Sequence, residues 1–195
     1  MRATEVTRST KETRISIALD LDGSGEASSR TGVPAFDHIL EAFGRHGLFN
    51  LDVQADGDLE IDAHHTVEDT GITLGMAFDR CLGDRRGIRR FGDCLMPMDE
   101  ALIMAAVDIS GRGQLHWDVD VPIEMIGNFD TTLVKEFLIA LCSNMGMTLH
   151  VRSIAGENTH HIMEASLKAV GRALSDAVSI DPRRQGSVPS TKGVI

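Results

Sequence analysis

Asp62-Ala63-His64-His65-Thr66-Val67-Glu68-Asp69 decides how the rest of the chain is read, because it returns 96 positions later as Asn158-Thr159-His160-His161-Ile162-Met163-Glu164-Ala165. Both stretches spell His-His-x-x-Glu at the opening of a run with helical periodicity. Successive residues of a helix advance by about 100°, so residues four apart share a face. His64 and Glu68 therefore point the same way and can hold one cation between them, and His160 and Glu164 can hold another. The adjacent histidines, His65 and His161, are turned about 100° from those pairs and are placed to reach a second ion. Each copy gives two ligands to one metal and one to the other, and two copies related by a pseudo-twofold complete two equivalent sites. One His-His-x-x-Glu is most simply a chance set of surface residues. Two copies in register put metal binding well ahead of coincidence.

The register extends beyond the motif, as an internal duplication does. Val107-Asp108-Ile109-Ser110-Gly111-Arg112-Gly113 lies on Leu19-Asp20-Leu21-Asp22-Gly23-Ser24-Gly25 at an offset of 88, which also lays Glu100 on Glu12. The second copy then carries about ten extra residues near 122–127, so that Glu136 falls on His38 at an offset of 98. Each half thus offers four candidate ligands: His38, His64, His65 and Glu68 from one, and Glu136, His160, His161 and Glu164 from the other.

Periodicity supplies the elements. Residues 4–8 and 13–21 read as strands, the second with Ile15, Ile17, Leu19 and Leu21 alternating with polar or small neighbours. A further strand is expected over 26–31, a helix over 35–46 stopped by Gly47, a strand over 48–53, a short strand over 59–62, and a helix from 66 to 82. The charged run 84–90 reads as a linker at the midpoint. Strands over 102–109 and 115–121, a helix over 131–143, a strand over 147–152 and a helix to about 178 complete the second half. The halves are 1–88 and 89–180, and the polar tail 181–195 by itself reads as disordered.

Composition is that of an ordinary folded protein, with 42% apolar and 25% charged residues among 195. A formal charge of −10 argues against a nucleic-acid binder, which needs a basic footprint. Cys81, Cys94 and Cys142 have neither metal-type spacing nor an even count, and suit a reducing compartment. With no signal peptide and no membrane span in view, a cytoplasmic location is the expectation. Taken singly, other candidates have plain readings: His46, His116 and His150 as surface or turn histidines, Arg112 as a turn residue, and Glu12 as a solvated charge on a strand edge.

Lys11-Glu12-Thr13, Phe36-Asp37-His38, Arg45-His46-Gly47-Leu48-Phe49, both His-His-x-x-Glu segments, Arg90-Phe91-Gly92-Asp93, Ser110-Gly111-Arg112 and Pro189-Ser190-Thr191-Lys192-Gly193 follow in order along nearly the whole chain. Together they resemble the imidazoleglycerol-phosphate dehydratase family. The resemblance implies an α+β fold of two similar halves, each a four-stranded sheet with helices packed on one face. It implies two Mn2+ ions per active site, and a large homo-oligomer, a 24-mer of cubic symmetry, with active sites at subunit contacts. Carried over, His38, His65, His160 and Glu164 hold one ion, and His64, Glu68, Glu136 and His161 hold the other. Position 136 is a histidine in some family members and Glu136 here. An N/O ligand set without thiolate suits Mn, Fe, Zn or Co and excludes a thiolate-rich structural zinc.

The reaction implied is the loss of water from D-erythro-imidazoleglycerol phosphate to give imidazole acetol phosphate, a step of L-histidine biosynthesis. No carbonyl activates the C2 proton, so the expected route runs through a dimetal-bound imidazolate and a diazafulvene. By resemblance Glu12 is the acid–base residue. The contacts expected to hold the substrate come from Glu12 and the metal ligands together with His46, Arg90, Arg112, Lys168, Ser190, Thr191 and Lys192, with the tail ordering over the active site. The competing classes are a binuclear metallohydrolase and a metal-storage scaffold.

Overall fold

Alternation of buried and exposed side chains builds two matching sheets. In a computed structural model, which describes residues 2–184 and 186–195, the first half runs β1 (Ala3–Ser9), β2 (Thr13–Asp20), β3 (Ala27–Arg30), α1 (Pro34–Gly47), β4 (Asn50–Gly57) and α2 (His64–Leu82). The second runs β5 (Phe91–Met98), β6 (Ala101–Asp108), β7 (Gln114–Asp118), a two-stranded β8 (Met125–Ile126) and β9 (Phe129–Asp130), α3 (Thr132–Met145), β10 (Thr148–Ala155) and α4 (Thr159–Val178). The sheet orders are β1-β2-β4-β3 and β5-β6-β10-β7, which are the same order in the two halves. In each, the first three strands of that order pair antiparallel and the last pair is parallel. This is the expected α+β fold with two four-stranded sheets.

One face of each sheet supplies the core. Ile15, Ile17 and Leu19 of β2, and Ile103, Ala105 and Val107 of β6, are buried at alternate positions. α2 covers β1 and β2, and α4 covers β5 and β6. The halves join helix to helix, α1 on α4 and α2 on α3. Glycines let the backbones approach. A Cβ at Gly75 of α2 would stand 2.8 Å from Leu141 O of α3, and one at Gly171 of α4 would stand 2.5 Å from Phe43 O of α1. Gly75 and Gly171 are 96 apart and Phe43 and Leu141 are 98 apart, so both contacts are the same contact repeated. Phe36 of α1 also crosses between halves, meeting Phe137 of α3 edge-on at 5.4 Å. Such a pair adds about 0.5–1.5 kcal/mol to its area burial.

Three sequence expectations change. Residues 59–62 form a turn and not a strand, with Ile61 N–H donating to Asp58 O at 2.9 Å. Thr13, opposite Gly57, is the last residue of β2 that β4 can pair with, and Leu59 and Ile61 are left exposed. The sequence reading places no strand between the linker and residue 102, yet β5 fills that space as an edge strand. Pro97 and Gly92 hide its alternation, which an edge tolerates because one side of the strand is unpaired. The insertion near 122–127 folds into the β8–β9 ribbon, closed by Thr131 N–H donating to Glu124 O at 2.7 Å.

Candidate metal centre

Both histidine pairs ride on the first turn of a helix, and an acceptor two residues upstream fixes that turn. Asn158 Oδ1 accepts from His160 N at 2.9 Å and His161 N at 3.3 Å, and Asp62 Oδ1 accepts from His64 N at 2.7 Å. The helical advance then separates the neighbours as expected. The rings of His64 and His65 lie at 85° to each other, and those of His160 and His161 at 79°.

On the α1–α4 side, three ligand types converge. His38 Nε2 lies 3.1 Å and His160 Nε2 3.0 Å from the same oxygen, Glu164 Oε2. One potential ligand atom from each of the three residues falls within 4.8 Å of the others. The imidazole rings face each other at 5.5 Å and are about half exposed, while Glu164 is buried beneath them. Lys168, one turn further along α4, places Nζ 2.6 Å from Glu164 Oε1. Burial penalises the charge on Glu164, but the hydrogen bonds from Lys168 and His38 outweigh that penalty and hold its carboxyl down to about 2. A pair of imidazole nitrogens aimed at one ionised oxygen, open on the outer side and free of thiolate, fits a divalent transition ion.

The α2–α3 side holds the repeated set more loosely. His64 Nε2 is 3.7 Å from Glu68 Oε2, and Glu136 on α3 stands where His38 stands on α1. The second histidine of each pair is held through Nδ1. Asp58 faces His65 Nδ1 at 3.0 and 3.2 Å, with Glu12 Oε2 further off at 4.0 Å. Glu100 Oε2 faces His161 Nδ1 at 2.8 Å. These carboxylates raise the pKa of both imidazoles, and His161 with the backbone N–H groups of Asn158, Glu100 and Glu157 holds the carboxyl of Glu100 down to about 2. Within one chain, neither His65 nor His161 joins the His38–His160–Glu164 group.

The sequence model of imidazoleglycerol-phosphate dehydratase matches residues 31–174. The enzymes of that name from Dinoroseobacter shibae and Paracoccus denitrificans are each 55% identical to this chain, over 99% of both chains in the first case and 100% of both in the second. The chain belongs to the imidazoleglycerol-phosphate dehydratase family. It is a hydro-lyase of histidine biosynthesis. The crystal structure of imidazoleglycerol-phosphate dehydratase from Staphylococcus aureus is similar with a TM-score of 0.82 and 35% identity, covering 92% of this chain and 99% of that one. The Pyrococcus furiosus enzyme, solved in complex with (S)-C348, gives 0.81 and 36%, covering 97% and 100%.

Of the groups expected to hold phosphate, Lys168 lies in this cluster on Glu164, and Arg90, Arg112, Ser190 and Lys192 lie toward the other end of the second sheet. Arg90 precedes β5 and Glu100 follows it, so the two ends of that eight-residue strand are separated by roughly 25 Å. At the Arg90 end, its guanidinium pairs with Asp108 at 2.7 Å and donates to Pro189 O at 2.9 Å, which docks the tail beside Ser190, Thr191 and Lys192. Ser110 Oγ accepts from Arg112 N at 3.1 Å in the turn after β6. Lys168 lies one turn of α4 from Glu164, and His46 a little over two turns of α1 from His38. Burial, with the charges of Lys168 and Arg172, lowers the pKa of His46. Sequence reasoning gave no role to Asp58 or Glu100, although the offset of 88 that links Glu100 to Glu12 was the available signal.

Proposed function

We propose that this dehydratase works at a two-metal centre completed between copies of the chain. His38, His65, His160 and Glu164 would hold one Mn2+, and His64, Glu68, Glu136 and His161 the other. The observation that carries the reading is the convergence of His38 and His160 on the buried, ionised Glu164. Bound metal would supply Lewis acidity to the azole nitrogens of the substrate and so favour its ring anion. From that anion the proposed route expels the hydroxyl beside the ring to give a diazafulvene, and loss of the C2 proton then gives the enol of imidazole acetol phosphate.

The rest falls to side chains. Glu12 takes the C2 proton. Its carboxylate sits on an exposed hairpin tip and, among the described residues, has only His65 Nδ1 near it, at 4.0 Å, so it is free to approach a substrate carbon. Arg90, Arg112, Lys168, Ser190 and Lys192 hold the phosphate, with Thr191 and His46 among the further contacts to substrate. The roughly 25 Å between the metal end and the Arg90 end of β5 supports a site shared by neighbouring copies, and the assembly proposed is a 24-mer. No helix among the described residues is long and apolar enough to cross a membrane. All three cysteines are free, which suits the reducing cytoplasm proposed as the compartment.

The test is metal content and oligomeric mass measured on the same active preparation. Two transition ions per chain in an assembly of high mass are expected. Full dehydratase activity from a metal-free monomer would end the proposal.

A further inference from the structure

The two hairpin tips of the duplication occupy equivalent places and differ in their contacts. β1 and β2 are joined through Thr10-Lys11-Glu12, and β5 and β6 through Asp99-Glu100, with Glu the last residue of each loop. Glu12 is exposed, and among the described residues its carboxylate makes no hydrogen bond and stands 4.0 Å from His65 Nδ1. Glu100 is held by three donors. Its Oε1 accepts from Asn158 N at 2.8 Å and Glu157 N at 3.2 Å, the peptides that lead into α4. Its Oε2 faces His161 Nδ1 at 2.8 Å.

The first half gives the corresponding task to another residue. There His65 Nδ1 is held by Asp58, the residue that follows β4. The residue that follows β10 is Gly156, which has no side chain to offer. In the second half the hairpin-tip glutamate therefore does what Asp58 does in the first, and in the first half Asp58 leaves Glu12 free.

We propose that Glu100 is a positioning residue for the second ion, fixing His161 as the Nδ1–H tautomer so that the Nε2 lone pair is the one presented to metal. An imidazole that donates through one nitrogen is a ligand through the other, and the acceptor sets ring orientation as well as tautomer. Asp99 Oδ2, on an exposed side chain, lies 3.8 Å from Nε2, beyond hydrogen-bond distance, and leaves that nitrogen open. The inference rests on the metal reading above and adds to it a residue outside the ligand sets.

Glu100→Gln separates the two tasks of the carboxylate. Its one amide oxygen can still accept from the backbone N–H groups entering α4, which turns the NH2 toward His161 Nδ1. An NH2 there requires Nδ1 to accept and moves the ring proton to Nε2, the wrong nitrogen for a ligand.

The experiment titrates Mn2+ alone into metal-free protein by equilibrium dialysis, for the unsubstituted chain, Glu100→Gln, His161→Ala and the double variant. One class of Mn2+ sites should weaken roughly 10–100-fold in Glu100→Gln. In the His161→Ala background the same substitution should change affinity less than about twofold, because the effect acts through that ring. Glu100→Asp, which keeps two oxygens, serves if Glu100→Gln does not fold, and its loss of affinity should also vanish without His161. Unchanged Mn2+ binding in the folded Glu100 variants, or an equal loss with and without His161, overturns the role of Glu100 while leaving the metal centre intact. An unsubstituted chain that binds no Mn2+ overturns both.

Discussion

Lys168 Nζ lies 2.6 Å from Glu164 Oε1, one helical turn away, while the other oxygen of the same carboxylate faces His38 and His160. A lysine thus compensates the buried side of Glu164 permanently, and the outer side is left for imidazole or metal. Lys168→Ala should destabilise the metal-free protein by about 1–3 kcal/mol, since it leaves a buried carboxylate short of a partner. Added Mn2+ would supply positive charge to the same group. The drop in Tm should therefore be larger without Mn2+ than with it, and equal drops would separate Lys168 from the metal-facing carboxylate.

Glu12→Gln should bind substrate as before and lose at least about 100-fold in turnover, the usual scale for a missing general base. Its Mn2+ content should match that of the unsubstituted enzyme, because Glu12 stands outside both ligand sets. Steady-state kinetics with metal analysis decides this, and unimpaired turnover would remove Glu12 from the mechanism.

Lys192→Ala and Arg90→Ala should both raise KM for the phosphorylated substrate, each by roughly tenfold, as a lost charge-assisted hydrogen bond of about 1.5–3 kcal/mol would. Arg90→Ala should have a second effect. Its guanidinium anchors the tail through Pro189 O, so limited proteolysis should release the tail in this variant and spare it in Lys192→Ala. A tail equally protected in both would deny Arg90 that anchoring role.

Gly75→Ala and Gly171→Ala should each destabilise the fold by about 1–3 kcal/mol, the cost of forcing extra volume into a packed interior. Each added methyl meets a backbone carbonyl, and the one at Gly75 also meets Asn144 Cβ at the root of its side chain, so neither site can yield cheaply. The two variants should lower Tm by similar amounts, since they disturb the two copies of one contact. A neutral Gly171→Ala would show that α1 and α4 can move apart.

Burial pushes the thiol of Cys142 up to about 12 and that of Cys81 up to about 11, and raises Cys94 as well. At pH 8 all three should remain as thiols and react slowly with a disulfide reagent in the folded protein, and promptly after denaturation. A fast-reacting Cys142 in the native protein would contradict its complete burial.

The duplication was legible in the sequence because the residues that carry it are chemically rare: two His-His-x-x-Glu segments at one offset leave little room for another alignment. The helices followed from periodicity, β2 from alternation, and β6 from a continuous apolar run. β5 was not legible, since Pro97, Gly92 and Asp93 are poor strand formers and only the β6 edge and the α4 surface give the segment its shape. Residues 59–62 carried a strand pattern in Leu59 and Ile61, but no sheet edge was left to receive it. Asp58 and Glu100 were visible as acids, and their work was not, because a carboxylate that steers an imidazole is separated from it in sequence by a turn in one case and by most of the second half in the other.

The length of β5 has a genetic consequence. Arg90 and Glu100 lie at opposite ends of one strand, which sets the phosphate groups proposed at Arg90 and the tail roughly 25 Å from the histidine end of the same chain. Two inactive proteins, one crippled by His160→Ala and the other by Lys192→Ala, should then rescue each other when they are assembled together, because some of the junctions in a mixed particle inherit a sound half from each parent.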